Sequence, residues 1–250
     1  MPPIISDALV LRTYKLGETS KVVVLLTRER GKLRAVAKGA RGPRSRYQSA
    51  LEPLSQVPAS LHGKQGAELF RLGQCELLRS AFRVGGRGLE TALSLSYFAE
   101  LLDAFAQEGE AEDAVYRLAV AVVAAAEDGA DVAALARYLE AWLLKLHGIY
   151  PPLDRCAGCG GALPAGALVY HGAAHGFVCT ACVPASGPIL AEPVRAFLAG
   201  VFRRPPGQMP QAPAEAAVLE PFHRDLISRH LERDLRSHRV LRDAAAGARG

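Results

Sequence analysis

The chain has 250 residues, of which half are hydrophobic and 22% are charged, and its formal net charge is +5. This composition excludes an intrinsically disordered chain and is sufficient for one large domain or two small ones. No apolar run approaches the roughly 18 residues that a membrane-spanning helix needs, and the first residues lack the pattern of a signal peptide. We therefore expect a cytoplasmic protein without a membrane partner.

The charge is distributed unevenly along the chain. Residues 1–83 carry a net charge of +9, residues 84–150 carry −7 and residues 151–250 carry +3. A basic first third followed by an acidic middle predicts two separate charged surfaces. The alternative is the ordinary solvation of a small domain.

The first 83 residues have the pattern of a small β domain. Runs of β-branched and aliphatic residues predict five strands, at residues 8–14, 21–27, 32–38, 51–61 and 67–78. Short strands separated by glycine and proline predict a barrel or a sandwich. This pattern alone does not distinguish an oligonucleotide-binding (OB) barrel from an SH3-like one. Cys75 lies among apolar residues and is predicted to belong to the core.

Residues 84–88 contain three glycines and predict a domain boundary, after which the pattern becomes helical. Apolar spacing predicts helices at residues 91–106, 113–126 and 131–147, and Asp131 is a candidate N-cap for the third. Two further helices are expected, at residues 191–198 and, as one long helix, 215–236. The last ten residues are expected to be frayed.

Two C-x2-C pairs, separated by 19 residues, stand in a part of the chain without helical periodicity. The four residues are Cys156, Cys159, Cys179 and Cys182. This spacing is typical of a zinc ribbon, which we expect at about residues 154–187, because two such pairs close a tetrahedron around one ion. Four thiolates leave no position open for water, so the pattern predicts one structural Zn²⁺. The alternatives are reduced thiols without metal, or a site in which His171 or His175 replaces a cysteine.

The third predicted strand and the loop after it carry a run of cations. Strand alternation turns Leu33, Ala35 and Ala37 inward and the cations outward. No acidic residue occurs between positions 30 and 51. Clustered Lys and Arg bind phosphate backbones through counterion release, and arginine can hold phosphate with two hydrogen bonds. The candidate nucleic-acid-binding residues are therefore Lys32, Arg34, Lys38, Arg41, Arg44 and Arg46. The alternative is that these cations form an ordinary solvated surface and bind no nucleic acid.

Other residues could extend this surface. The cations are Arg12, Lys15 and Lys21, and the aromatic residues that could stack on bases are Tyr14, Tyr47 and Phe70. No recognition helix or base-reading motif is present, so we expect binding that is independent of base sequence. No P-loop or nucleophile motif is found either, and we therefore expect that the protein is not an enzyme.

Three short motifs in the basic region resemble the N-terminal signature of the bacterial RecO family of recombination mediators. They are GETSK at residues 17–21, Leu26-Thr27 followed by Gly31-Lys32, and VAKGAR at residues 36–41. The order of the remaining regions is similar to that family as well. The resemblance implies an α+β, multi-domain fold, with a five-stranded OB barrel at residues 1–83. A helical C-terminal domain at residues 84–250 would contain the inserted four-cysteine zinc ribbon.

The resemblance also implies a function in DNA repair. It implies that the protein binds single-stranded and double-stranded DNA, anneals complementary strands and is associated with the nucleoid. Together with RecR, it would promote RecA loading on DNA that is coated with single-stranded-DNA-binding protein (SSB). The acidic C-terminal tail of SSB would dock in a hydrophobic pocket rimmed by cations on the helical domain, for which the candidates are Arg195, Arg224 and Arg229. The barrel is a candidate surface for RecR.

Three alternatives to this function remain at the level of sequence. The first is an RNA-binding protein with a zinc ribbon and an OB barrel but without a role in repair. The second is a metalloenzyme that uses a vacant zinc position. The third is an assembly scaffold with negligible affinity for nucleic acid.

Overall fold

The computed structural model describes residues 3–64, 66–182 and 187–247. The chain forms two compact units, one of Met1–Ala136 with Leu235–Gly250 and the other of Arg137–Asp234. The first compact unit therefore contains both the N-terminal strands and the first helices. The domain boundary at residue 83 remains a prediction. Within the described residues, no helix combines the length and the apolar character needed to cross a bilayer.

Five strands at the N-terminus form a closed barrel, as the OB fold requires. The strands are β1 (Ile4–Leu16), β2 (Ser20–Thr27), β3 (Gly31–Ala37), β4 (Gln56–His62) and β5 (Phe70–Cys75). Their order around the barrel is β1-β2-β3-β5-β4, and β1 pairs with β4 to close it. All neighbours are antiparallel except β3 and β5, whose parallel pairing joins Ala35 to Phe70 and Val36 to Arg71. The prediction of a five-stranded barrel is confirmed.

The barrel is filled by aliphatic side chains that alternate along the strands. Val23 and Leu25 of β2 and Leu33 of β3 belong to one buried cluster, together with Leu61 of β4. Cys75 lies in the same cluster, and burial raises the pKa of its thiol to about 11. Its predicted place in the core is confirmed, and its thiol stays protonated and unreactive at neutral pH.

Seven helices follow the barrel in the described part of the chain. They are α1 (Phe82–Gly85), α2 (Leu89–Phe105), α3 (Asp113–Glu127), α4 (Val132–Leu146), α5 (Glu192–Val201), α6 (Leu219–Leu231) and α7 (Arg236–Gly247). The carboxylate of Asp131 accepts hydrogen bonds from the backbone N–H groups of Ala133 and Ala134, at 3.1 and 3.3 Å. Asp131 therefore caps α4 as the sequence predicts.

The prediction of one long helix over residues 215–236 is wrong. A 3₁₀ turn at Ala214–Val218 precedes α6, and α6 ends where Glu232 adopts a left-handed backbone conformation with φ of 53°. Non-glycine residues adopt this conformation infrequently, so no local pattern predicts a helix end at Glu232.

The expectation of ten frayed C-terminal residues is also wrong, because α7 continues to Gly247; residues 248–250 lie outside the described residues. The carboxylate of Glu100 in α2 accepts hydrogen bonds from the backbone N–H groups of Arg236 and Ser237, at 3.1 and 2.7 Å. The rings of Tyr97 and His238 then pack edge to face, with centroids 5.4 Å apart. This cap comes from a residue distant in sequence, so local patterns do not reveal it.

The second compact unit contains a small antiparallel sheet beside its helices. Its strands are β6 (Leu168–His171), β7 (Gly176–Val178) and β8 (Ile189–Leu190), in the order β7-β6-β8. Residues 183–186, which belong to the predicted ribbon, lie outside the described residues.

A buried polar cluster stands in the same unit. The guanidinium of Arg137 donates to the carboxylate of Glu140, with Nε at 2.7 Å, and Nδ1 of His223 lies 3.0 Å from the same carboxylate. Nε2 of His223 lies 3.1 Å from the hydroxyl of Tyr150. Burial alone would raise the pKa of Glu140, but Arg137 and His223 together lower it to about 2. The carboxylate is therefore ionised and fully partnered at neutral pH.

Candidate nucleic-acid interface and metal centre

The outer face of β3 carries cations, as the alternation predicts. Leu33, Ala35 and Ala37 are buried, whereas Arg34 is exposed and Lys32 is half-buried. Glycine is required at position 31, where φ is +58° and an added Cβ would lie 2.0 Å from the carbonyl oxygen of Glu110. The chain between α2 and α3 therefore lies directly against the start of β3.

This connection is strongly acidic, and we call residues 107–113 the acidic segment. The backbone N–H of Lys32 donates to the carbonyl oxygen of Gln107 at 2.8 Å, and the N–H of Gly109 donates to the carbonyl oxygen of Lys32 at 3.2 Å. The segment is thus hydrogen-bonded to β3 in the manner of a short additional strand.

Ion pairs reinforce this backbone contact. Glu108 pairs with Arg34 at 2.5 Å, and Asp113 pairs with Arg28 at 2.7 Å. We call Arg28, Lys32 and Arg34 the covered basic end of the barrel.

Lys32 is held from another direction as well. Its Nζ donates to the backbone carbonyl of Asp103 in α2 at 2.6 Å and lies 3.6 Å from the carboxylate, to which Arg12 is also paired at 3.2 Å. The Lys32 side chain is only 14% exposed. The prediction of two separate charged surfaces is therefore wrong at this end of the barrel, because acids of the helical region neutralise cations of the barrel.

The opposite end of β3 remains accessible. Lys15 of β1 is the direct cross-strand neighbour of Lys21 of β2, and Lys21 in turn faces Ala37, next to Lys38. Like charges directly opposite one another repel, so a bound anion at this position would relieve an unfavourable interaction. Lys38 is exposed and forms no ion pair with any of the residues that the structure describes.

Arginines of the loop after β3 surround these lysines. Arg41 donates from Nη1 to the carbonyl oxygens of Gly17 and Glu18, at 3.1 and 2.8 Å, which fixes the loop to the β1–β2 turn. Arg44 is exposed and, like Lys38, has no ionic partner within the described part of the chain. We call this region the open basic end. It consists of Lys15, Lys21, Lys38, Arg41 and Arg44.

Arg46 and the candidate aromatic residues divide into different roles. Arg46 is exposed, but its guanidinium stacks 4.9 Å from the centroid of the Tyr47 ring and donates to the Tyr47 hydroxyl at 2.8 Å. Tyr47 and Phe70 are buried in the barrel core, whereas Tyr14 is 41% exposed. Among the three aromatic candidates, only Tyr14 is exposed, and the guanidinium of Arg12 lies 5.8 Å from the centroid of its ring.

The four predicted cysteines lie together in the second compact unit. Their sulfur atoms are all within 4.8 Å of one another, and the Sγ atoms of Cys159 and Cys179 are 3.9 Å apart. A tetrahedral ion with bonds of about 2.3 Å to sulfur would place pairs of sulfurs about 3.8 Å apart. The geometry therefore fits one metal ion held by four thiolates, whereas His171 and His175 are not part of the cluster.

Backbone N–H groups and neighbouring thiols shift the pKa values of the cysteines in this cluster. The N–H groups of Cys159 and Cys179 lower the pKa of the Cys156 thiol to about 6, and the N–H of Cys179 lies 3.2 Å from its sulfur. The other three thiols raise the pKa of Cys182 to about 12. The cluster does not release all four protons by itself, so metal binding must be accompanied by proton release.

Sequence reasoning missed the acidic segment and the facing lysines. Four acids within the six residues 108–113 were a signal for the former. The register that places Lys15 opposite Lys21 becomes visible only once the β1–β2 turn is known.

Comparison with known proteins matches the whole order of these regions. Residues 1–81 match the family model described as "Recombination protein O N terminal", and residues 87–239 match "Recombination protein O C terminal". The chain is 35% identical over 233 residues to the DNA repair protein RecO of Koribacter versatilis, covering 92% of this chain and 94% of that protein. It is 34% identical over 242 residues to the protein of the same name from Pelotomaculum thermopropionicum, covering 94% and 92% of the two chains. On these matches, the chain belongs to the RecO family.

Proposed function

We propose that this protein acts without catalysis in DNA repair and recombination, by binding the sugar–phosphate backbone at the open basic end of its barrel. The observation that carries this proposal is the clustering, on an OB barrel, of lysines and arginines that have no carboxylate partner among the described residues. The curated relatives are named as DNA repair proteins, which supports DNA rather than RNA as the ligand. A nucleoid-associated location follows from such binding.

The predicted residues contribute unequally in this proposal. Lys38, Arg41 and Arg44 bind phosphate directly, and Arg46 contributes from its position against the Tyr47 ring. Lys32 acts mainly to hold the barrel against α2, because its ammonium group is already paired with Asp103. Arg34 reaches phosphate only at the cost of its contact with Glu108.

This arrangement supports annealing of both single-stranded and double-stranded substrates. Two complementary strands repel each other, and a cationic surface screens that repulsion without ATP. Contacts restricted to phosphates leave the base edges free to pair. The exposed Tyr14 ring adds stacking that does not depend on base identity.

The proposed partners follow from the family. We propose that the protein acts with RecR, which docks on the barrel, to load RecA on SSB-coated DNA. A cavity of about 580 Å³ in the second compact unit is a suitable site for the SSB tail. Its apolar walls include Tyr150 and Phe202, and its cations are Lys145, Arg195 and Arg203. Arg229, by contrast, is paired with Asp225 at 2.8 Å, and neither it nor Arg224 lines this cavity.

The four-cysteine cluster is proposed to hold one Zn²⁺, because four thiolates from two C-x2-C pairs are typical ligands of a structural zinc ion. When bound, the ion supplies structural cross-linking and no open coordination position for chemistry. Cys156, Cys159, Cys179 and Cys182 fix the turn regions on either side of β6 and β7.

The salt dependence of DNA binding tests the proposal. Changing Lys38, Arg41 and Arg44 together to Ala is expected to reduce the slope of log K against log salt for single-stranded DNA by about 2, at roughly 0.7 per phosphate. The control removes the same charge from exposed positions elsewhere, through Arg83→Ala, Arg233→Ala and Arg239→Ala, and is expected to change the slope little.

If both triple variants changed the salt slope equally, the DNA would not bind at the open basic end. The same proteins in a strand-annealing assay on SSB-coated DNA, with and without RecR, test the finer role. Competition by structured RNA as effective as that by DNA would favour an RNA-binding function instead.

A further inference from the structure

The covered basic end differs from an ordinary solvated surface because its cations have specific anionic partners. Arg28 and Arg34 are paired with Asp113 and Glu108, which lie 85 and 74 residues away in the sequence. Arg34 lies on the outer face of β3 and Arg28 in the turn before β3, and both are exposed with their partner carboxylates. A phosphate backbone that extends along β3 from the open basic end would reach these two arginines. The acidic segment therefore places negative charge where nucleic acid would supply it.

The backbone of the acidic segment is firmly positioned. Two main-chain hydrogen bonds join Lys32 to Gln107 and Gly109, and the close approach of Glu110 to Gly31 leaves no room for a side chain at position 31. Within the segment, the carboxylate of Glu112 also accepts a hydrogen bond from the N–H of Gln107 at 2.7 Å. These contacts hold the segment in place irrespective of the two ion pairs.

The ion pairs themselves are exchangeable. The side chains of Arg28, Arg34, Glu108 and Asp113 are between 45% and 57% exposed. Exposed pairs of this kind are weak and are screened by salt, so phosphate can compete with the carboxylates. A cavity of about 360 Å³, lined in part by Arg30 and Phe70, opens beside Arg34 and Glu108 and gives a phosphate group access to the guanidinium.

We propose that the acidic segment is an intramolecular substitute for phosphate, so that Arg28 and Arg34 contact DNA only after exchanging Asp113 and Glu108 for phosphate groups. This inference rests on the proposed function, since it concerns the regulation of the same DNA-binding surface. Its consequence is a weakened grip on nucleic acid, which lets the protein release a duplex after the strands have paired. The segment lowers affinity without blocking the open basic end.

Neutralising the two acids tests this inference in the full-length protein. The variant Glu108→Gln with Asp113→Asn is expected to bind a single-stranded oligonucleotide about 2- to 30-fold more tightly than the wild type, because two exposed pairs no longer compete. Its salt slope is expected to be steeper by about 1.4, because Arg28 and Arg34 then neutralise two phosphates without leaving two carboxylates uncompensated, as the exchange in the wild type does. The control, Glu76→Gln with Glu90→Gln, changes the charge equally at two exposed positions of the same compact unit.

The same acid substitutions in a variant that lacks the arginines test whether the gain in affinity depends on the ion pairs or only on net charge. Asp113 also pairs with Arg117 at 2.7 Å, so this variant lacks Arg117 as well. In a protein that carries Arg28→Gln, Arg34→Gln and Arg117→Gln, the acid substitutions are expected to give no gain beyond that of the control pair. A gain no larger than the control in the wild-type background would overturn the inference, and so would a gain that persists without the three arginines. Thermal melting of each variant verifies that the fold is retained.

The failure of the inference is distinguishable from that of the proposed function. If the Lys38, Arg41 and Arg44 variant loses salt dependence while the Glu108 and Asp113 variant gains nothing, only the inference falls. If the first variant keeps the wild-type salt slope, DNA does not bind at the barrel surface, and both the inference and the proposed function are wrong.

Discussion

The barrel and the second compact unit reach a defined structure by different physical means. The barrel encloses an apolar cluster, and its buried polar side chains among the described residues, Ser6, Thr27 and Ser55, are uncharged. The second unit buries Glu140 and His223 and brings four cysteine sulfurs together within a segment that has little regular structure.

This difference shows where charge is tolerated in each unit. In the barrel, every lysine and arginine stands outside the core, so the proposed DNA surface can change without loss of the fold. In the second unit, Glu140 and His223 are themselves part of the interior, whereas of the four clustered cysteines only Cys156 is buried. Perturbations of core packing, of metal and of proton concentration should therefore affect the two units differently.

The largest expected effect is that of removing the proposed zinc ion. Apparent binding energies of structural zinc sites are about 10–16 kcal/mol, which exceeds what a short cysteine-rich segment can gain from packing. Cys156→Ser or a strong chelator is therefore expected to unfold residues 153–182 while the barrel still binds DNA. Limited proteolysis with mass spectrometry, together with zinc analysis, measures both properties.

The control for this experiment is Cys75→Ala, which removes a thiol from the barrel core but not from the cluster. It should retain one zinc ion per chain. A Cys156→Ser protein with full zinc content and unchanged protease resistance would show that the cluster does not organise this segment. X-ray absorption with four sulfur ligands and no oxygen would exclude a catalytic metal site.

A core substitution is expected to have a smaller effect, and on the other unit. Leu25 is completely buried in the barrel, so Leu25→Ala should reduce the free energy of unfolding by about 2–5 kcal/mol and leave the zinc content unchanged. Leu16→Ala is the matched control on the same sheet, because Leu16 is 43% exposed. Denaturant unfolding followed by circular dichroism compares the two, and equal losses would mean that the barrel core does not limit stability.

Several features of this comparison were predictable from the sequence. The β-branched run of β2, the alternation of β3 and the Asp131 cap depend on neighbouring residues, and each is confirmed. The cysteine cluster was predictable for a related reason, because the spacing of C-x2-C pairs reflects the geometry of a single ion.

Other features depend on contacts between distant parts of the chain. The start of α7 relies on Glu100, and the pairing of Arg34 relies on Glu108. Neither residue has a local pattern that identifies its partner. The charge count of the first third was correct, but it did not reveal that part of this charge is neutralised within the protein.

Acid is expected to give the smallest effect near neutral pH, and specifically in the second unit. The pKa of Glu140 is about 2 in the folded protein and about 4.5 when unfolded, so its contribution is fully present above pH 4.5 and is lost as the pH falls from 4.5 towards 2. Burial lowers the pKa of His223 below its ordinary 6.5, which favours folding above pH 6.5 and less so below it. Together these shifts predict stability that declines progressively below pH 6.5.

Urea unfolding of the second unit can be followed by the fluorescence of Trp142, the single tryptophan of the chain, which packs edge to face on Phe202 with ring centroids 5.7 Å apart. The Glu140 contribution to this unfolding should amount to about 3 kcal/mol over the full titration. Glu140→Gln provides the comparison, because it removes the titrating group while thiol protonation and zinc loss affect both proteins alike. The variant should be less stable than the wild type at pH 7, and the difference should narrow as the pH falls from 4.5 towards 2. A difference that stays constant over this range would mean that the Glu140 carboxylate is not the group through which acid acts on this unit.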